Sequence, residues 1–198
     1  IYGPRVTVIK SHLEDYLEKM PETGDEQPFQ QARTASGPQT TPIRPGETIG
    51  ELKTCIIASP YTGIAADISK APDEGFASGV IGAGAFVELT GPEIVAPADG
   101  TISFVFDTHH ALGFKTVDGI ALLIHVGIDT VALKGKGFNV LVKEGNFVKK
   151  GEPLMRVDLN YIRQNAPSLA SPIVCTELDE DSQVRLLHTG PIKAGEDL

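Results

Sequence analysis

His110 and His125 are the residues of this chain whose types and spacing could do chemistry. They flank Asp118-Gly119, which reads as a two-residue hairpin turn whose positive φ angles match strand twist. With residues 118 and 119 as the turn, paired positions sum to 237, which sets Leu112 opposite His125 and His110 opposite Gly127. Side chains two apart on a strand share a face, so His110 is predicted beside His125, as a diagonal neighbour with Cβ atoms roughly 7–8 Å away. Two such imidazoles could converge on one phosphate or one metal ion. His125 lies in Leu122-Leu123-Ile124-His125-Val126, apolar on both faces, so burial should keep its ring neutral at neutral pH. A neutral imidazole offers one lone pair, as a nucleophile toward phosphorus requires. Its other nitrogen needs an acceptor, and a backbone carbonyl such as that of Gly127 could serve. Thr108 shares the face of His110 and could orient that ring through its hydroxyl. His109 is expected on the opposite face, as a bystander. His12 and His188 lack supporting context.

The elements that must position this pair are short. With 21 Gly, 14 Pro and no Trp, turns and strands are favoured over a helical bundle. Residues 1–20 form a separate unit, in which Ile9, Leu13, Tyr16, Leu17 and Met20 recur at helical spacing behind a Ser11 cap. Residues 21–50, rich in Pro, Gln, Thr, Gly and Ser, read as a solvated linker without a core. Residues 51–198 alternate apolar runs with Gly and Pro turns, and one short helix is expected near Leu159 to Gln164. That region repeats itself. Pro60-x-x-Gly63 is echoed by Pro97-x-x-Gly100, and Lys149-x-Gly151-Glu152 by Lys193-x-Gly195-Glu196. The expected fold is all-β, an antiparallel sandwich or distorted barrel with duplicated topology and few short helices.

Composition narrows the partners. A net charge of −9 argues against nucleic acid, whose binding rests on clustered Lys and Arg, and suits a basic protein partner. Cys55 and Cys175 are isolated and read as small core residues of a reducing compartment. No apolar run approaches the roughly 18 residues of a membrane span, so no membrane insertion by this chain is expected. Beginning at Ile1 rather than Met, the chain is expected to be a piece of a longer protein.

The residues then match a family. Gly119-Ile120-x-Leu122-Leu123-Ile124-His125-Val126-Gly127-Ile128-Asp129-Thr130, Phe76-Ala77-x-Gly79-x-x-Gly82, Val95-Ala96-Pro97-x-Asp99-Gly100-Thr101-Ile102 and Thr108-x-His110-Ala111 closely resemble the glucose-type enzyme IIA domain of the bacterial phosphoenolpyruvate:sugar phosphotransferase system. The resemblance runs from about Ile56 to Leu198, and residues 1–20 look like the tail of an enzyme IIB domain. It implies that His125 is phosphorylated on Nε2 by the phosphohistidine of HPr and passes the group to a IIB cysteine. It further implies that His110 stabilises the phosphoryl group, that Thr108 orients His110, and that the Gly127 carbonyl holds His125 Nδ1–H. No cofactor is required, although His110 and His125 could hold a regulatory zinc ion. Phe76, Leu123 and Val131 are candidates for an apolar rim, and Asp73 and Asp129 for contacts to a basic partner. The parent would lie at the inner face of the cell membrane, with this domain in the cytoplasm. Leu112 and Gly113 stand where an aromatic rim residue is expected, so local partner contacts should differ.

Two rivals remain on the residues alone. His110, His125 and Asp129 could ligate a catalytic zinc ion with one open position, but peptidases of that kind carry a later H-x-H pair that this chain lacks. A lipoyl or biotinyl carrier would fit the Gly and Val spacings, but needs a modified lysine at a hairpin tip, where this chain has Val117-Asp118-Gly119-Ile120.

Overall fold

Short strands build two antiparallel sheets. The computed structural model describes residues 54–178 and 182–198. The expected helix within 1–20 and the linker 21–50 lie outside the described residues. The larger sheet contains β1 (Gly63–Asp67), β2 (Ala83–Leu89), β4 (Gly100–Val105), β5 (Ala111–Thr116), β6 (Ala121–His125), β8 (Phe147–Val148), β10 (Ala170–Glu177) and β11 (Gly190–Ile192). Their spatial order is β11-β1-β2-β10-β6-β5-β4-β8. The smaller sheet sets β9 (Pro153–Val157) between β3 (Glu93–Val95) and β7 (Phe138–Val140). Two short α-helices, α1 (Glu74–Ala77) and α2 (Leu159–Asn165), the latter where the spacing predicts one, and two 3-10 turns, Ile68–Lys70 and Thr130–Leu133, complete the described elements.

The main core lies between the sheets. Ile102, Leu112, Phe114, Leu122, Ile124 and Val126 of the large sheet and its margin meet Ile94, Leu154, Met155 and Val157 of the small one. Because side chains alternate along a strand, Leu123 and His125 face the other way. A second apolar cluster there joins Leu123, Phe104, Phe106, Ala111 and Val174 to Ile68, Ala71 and Phe76 from the connection between β1 and β2. A bulge in β4 between Ile102 and Phe104 assigns these two residues to different clusters. An extra residue reverses which face follows.

The sequence echoes are structural. Gly151 N–H donates to the Ala96 carbonyl and Ala96 N–H to the Glu152 carbonyl; Gly195 N–H donates to the Ser59 carbonyl and Ser59 N–H to the Glu196 carbonyl. Each turn is closed by its glutamate, which accepts from Lys149 N–H at 3.1 Å or from Lys193 N–H at 2.9 Å. The duplicated unit thus reproduces its main-chain partners as well as its residues.

The hairpin departs from the expected register. Ala111, not Leu112, stands opposite His125, and Leu112 opposite Ile124. Thr116 N–H donates to the Ile120 carbonyl and Gly119 N–H to the Thr116 carbonyl, so the loop is the three residues Val117-Asp118-Gly119. A two-residue type I′ turn needs positive φ at both central residues, whereas Gly119 has φ 93° and Asp118 is not left-handed. The Thr116 hydroxyl accepts from Ile120 N–H at 3.0 Å and helps fix this longer closure. Both cysteines are half-buried rather than enclosed, Cys175 packing against the main core.

Candidate active site

His125 ends β6 on the face of the second cluster and is 2 % exposed. The ring of Phe76 meets it edge-on, with centroids 5.2 Å apart. Phe76 is delivered by α1, whose cap Asp73 accepts from Phe76 N–H at 3.0 Å. His110 immediately precedes β5. In the shifted register an ordinary strand would turn it to the main core, but the turn before it is not a strand. His109 N–H donates to the Phe106 carbonyl at 2.8 Å, and His109 is left-handed at φ 58°. That backbone reversal sets the fully buried His110 ring against His125, centroids 4.9 Å apart and planes at 79°. His109 is therefore an exposed turn residue rather than a strand residue of the opposite face.

Thr108 Oγ1 lies 2.6 Å from His110 Nδ1. His110 Nε2 and His125 Nδ1 are both enclosed without a hydrogen-bond partner, so His125 Nε2 is the nitrogen of that ring that is not sealed. The Gly127 carbonyl, expected to accept from His125 Nδ1, falls short of hydrogen-bond geometry. Gly127 is left-handed at φ 71° and directs its N–H to Ser171 Oγ at 2.9 Å. Its backbone still draws a proton toward His125 weakly, against burial and the neighbouring His110, which together hold the His125 pKa well below the usual histidine range. Burial alone lowers His110 to about 4. Both rings are neutral at neutral pH.

The remaining predicted residues surround the pair unevenly. Leu123 is buried beneath it, and Val131 is half-buried in the 3-10 turn Thr130–Leu133. Asp129 is exposed, and its carboxyl is raised by partial burial and then by the charge of Asp73. The charge of Asp73 thus reaches Asp129. No group of three His, Cys, Asp or Glu side chains is placed to hold a metal ion among the described residues, so His110, His125 and Asp129 do not form the three-ligand site of the rival reading.

Sequence reasoning missed three supports. Phe104 and Phe106 meet at 5.4 Å, and Phe106 meets His110 at 5.1 Å, which extends a file of rings through both histidines to Phe76. Their spacing two apart, just before Thr108, was the available signal. Phe104 also covers Gly113, where an added Cβ would collide with the Phe104 ring. An aromatic from the neighbouring strand thereby fills the position left by the missing rim residue. Tyr61, fully buried, brings its hydroxyl to 2.9 Å from the His125 carbonyl. No local pattern announces a contact across 64 residues.

Comparison with known proteins supports the fold and identifies the family. The family described as phosphoenolpyruvate-dependent sugar phosphotransferase system, EIIA 1, matches residues 55–181. The chain is 37% identical over 202 residues to the PTS system glucoside-specific EIICBA component of Staphylococcus carnosus, covering all of this chain and 27% of that protein. It is 42% identical to the PTS system glucose-specific EIIA component of Staphylococcus epidermidis, over 73% of this chain and 87% of that one. The solved glucose permease IIA from Mycoplasma capricolum superposes with a TM-score of 0.69 at 30% identity, covering 73% of this chain and 93% of that one. The chain spans about a quarter of the length of the EIICBA relatives. Neither rival reading is favoured by these likenesses, and the chain belongs to the EIIA 1 family of the phosphoenolpyruvate-dependent sugar phosphotransferase system, whose members are phosphotransferases.

Proposed function

We propose that His125 accepts a phosphoryl group on Nε2 from the phosphohistidine of HPr and passes it to the cysteine of an enzyme IIB domain. The observation that carries this reading is the neutral, buried His125 ring packed 4.9 Å from a His110 ring whose far nitrogen is engaged by Thr108. The Nε2 lone pair attacks phosphorus as the donor's N–P bond breaks, and the donor imidazole leaves with that electron pair. With the Thr108 hydroxyl donating to Nδ1, the neutral His110 ring carries its proton on Nε2, aimed at the equatorial oxygens. Phosphoryl transfer needs such positioning and charge stabilisation more than covalent help. Charge developing on His125 draws its Nδ1–H toward the Gly127 carbonyl, a bond that is often long before reaction and tightens during it.

Asp73 and Asp129 suit a basic donor protein, and the IIB acceptor is assigned to the same polypeptide, as in the EIICBA relatives. The domain would work at the cytoplasmic face of the membrane; no described helix is long and apolar enough to cross one. The two histidines also supply two of the four positions of a tetrahedral zinc site, so a zinc ion bound here would complete its shell from a partner or water and serve regulation.

The test incubates the chain with phosphoenolpyruvate, enzyme I and HPr. Wild type and His110→Ala should take up phosphate, with His110→Ala passing it on poorly. Uptake by His125→Ala overturns the assignment.

A further inference from the structure

The main chain at His125 lacks part of its ladder. Val126 N–H donates to the His110 carbonyl, which makes that pair the hydrogen-bonded one and turns the N–H and C=O of His125 away from β5, toward β10. The β6–β10 register ends at Ile124–Ile173, and continuing it sets Pro172 across from His125. Proline has no N–H, so the strand neighbour cannot serve the His125 carbonyl.

Three buried hydroxyls hold the segment where the strands part. Thr130 Oγ1 donates to the Val126 carbonyl at 2.6 Å, and Ser171 Oγ accepts from Gly127 N–H. Tyr61 acts on His125 itself, its hydroxyl 2.9 Å from the His125 carbonyl and 2.8 Å from that of Pro172. The phenol has one proton to share between two acceptors. Burial raises its pKa well above the usual tyrosine value, so it remains a donor throughout the working range.

We propose that Tyr61 is a positioning residue for phosphoryl transfer: its hydroxyl replaces the ladder donor that Pro172 lacks and fixes the main chain from which the His125 ring presents Nε2. The proposal rests on the reading of His125 as the phosphoryl acceptor. Tyr61 is fully buried, out of reach of a docking protein's surface, so its loss should act on the rate of transfer rather than on docking.

The test uses the full chain with phospho-HPr at varied concentration, rates being normalised to folded protein. Tyr61→Phe keeps the ring in the core and removes one hydrogen bond, so kcat should fall about three- to tenfold with KM unchanged. The His125 ring nitrogens should shift in 15N spectra. Adding Pro172→Ala restores a main-chain N–H across from His125 and should bring kcat back toward wild type. A Tyr61→Phe chain with wild-type kcat and unmoved ring signals overturns the proposal. In the wild-type chain the Tyr61 hydroxyl proton should exchange slowly and show proximity to His125 and Pro172; its failure to do so overturns the proposal even if no variant folds. If wild type takes up no phosphate, the functional reading itself falls. If wild type is phosphorylated and Tyr61→Phe matches it, only the role of Tyr61 does.

Discussion

The rings of His110 and His125 cross at 79° with centroids 4.9 Å apart, so a proton on either repels a proton on the other. Burial lowers both pKa values, His110 to about 4, while the unfolded chain protonates its histidines near 6.5. Where the unfolded state binds more protons, stability falls as pH falls. Stability from this pair is therefore complete above about pH 6.5 and is lost progressively down to the folded values. His110 alone accounts for a loss on the order of 3 kcal/mol. Urea unfolding at pH 7, 6, 5 and 4.5 checks this, and a flat profile between pH 6.5 and 5, where carboxylates scarcely titrate, contradicts it.

Thr108 should matter through one proton. In the proposed mechanism its hydroxyl, 2.6 Å from His110 Nδ1, selects the tautomer of that ring, because the bond made by one nitrogen determines the state of the other. Thr108→Val keeps the shape and removes the donor. The expected result is a mixed tautomer in His110 15N spectra, phosphate uptake by His125 largely retained, and onward transfer to enzyme IIB slowed about tenfold. Unchanged spectra and transfer would remove Thr108 from the mechanism.

Phe104 and Gly113 should behave as one unit. A side chain at Gly113 collides with the Phe104 ring, so Gly113→Ala should cost about 1–3 kcal/mol as overpacking. Phe104→Ala should cost about 3–5 kcal/mol as a cavity. In the double variant the methyl group enters space the ring has vacated, and the combined loss should fall short of the sum. A double-mutant cycle from urea melts measures this coupling, and strict additivity would deny the contact. Because Phe104 meets Phe106 edge-on and Phe106 meets His110 at a tilt, the Phe104 variant should also move the His110 ring signals.

The convergence of His110 and His125 was legible for a reason only partly correct. Alternation and the Asp-Gly turn gave two antiparallel strands, and the apolar run around His125 gave its burial. The turn was one residue longer than the dipeptide suggests because the Thr116 hydroxyl and Gly119 close a three-residue loop. A one-residue slip exchanges faces along a strand, which by itself would send His110 into the main core. The left-handed backbone at His109 reverses it again. Two local irregularities offset one another, and neither is written in hydrophobic periodicity. Tyr61 was illegible for a different reason. Its partner is a carbonyl orphaned by Pro172, and which residue stands across from Pro172 depends on the assembled sheet.

Asp129 carries the remaining prediction. It is exposed and left-handed at φ 56°, a conformation asparagine adopts readily, so Asp129→Asn should preserve the backbone. The raised pKa of its carboxyl means that the folded chain penalises its ionised form, partly through Asp73. That penalty is full above the folded pKa and absent once the group is protonated. Asp129→Asn should therefore be neutral to slightly stabilising at pH 7, with no gain near pH 3. Docking should respond oppositely. If the acids meet a basic donor protein, the variant should raise KM for phospho-HPr about three- to tenfold at low salt, and less as salt screens the remaining charges. Steady-state transfer at two ionic strengths separates the two effects. A KM that does not move at low salt would reduce Asp129 to a solvated turn residue.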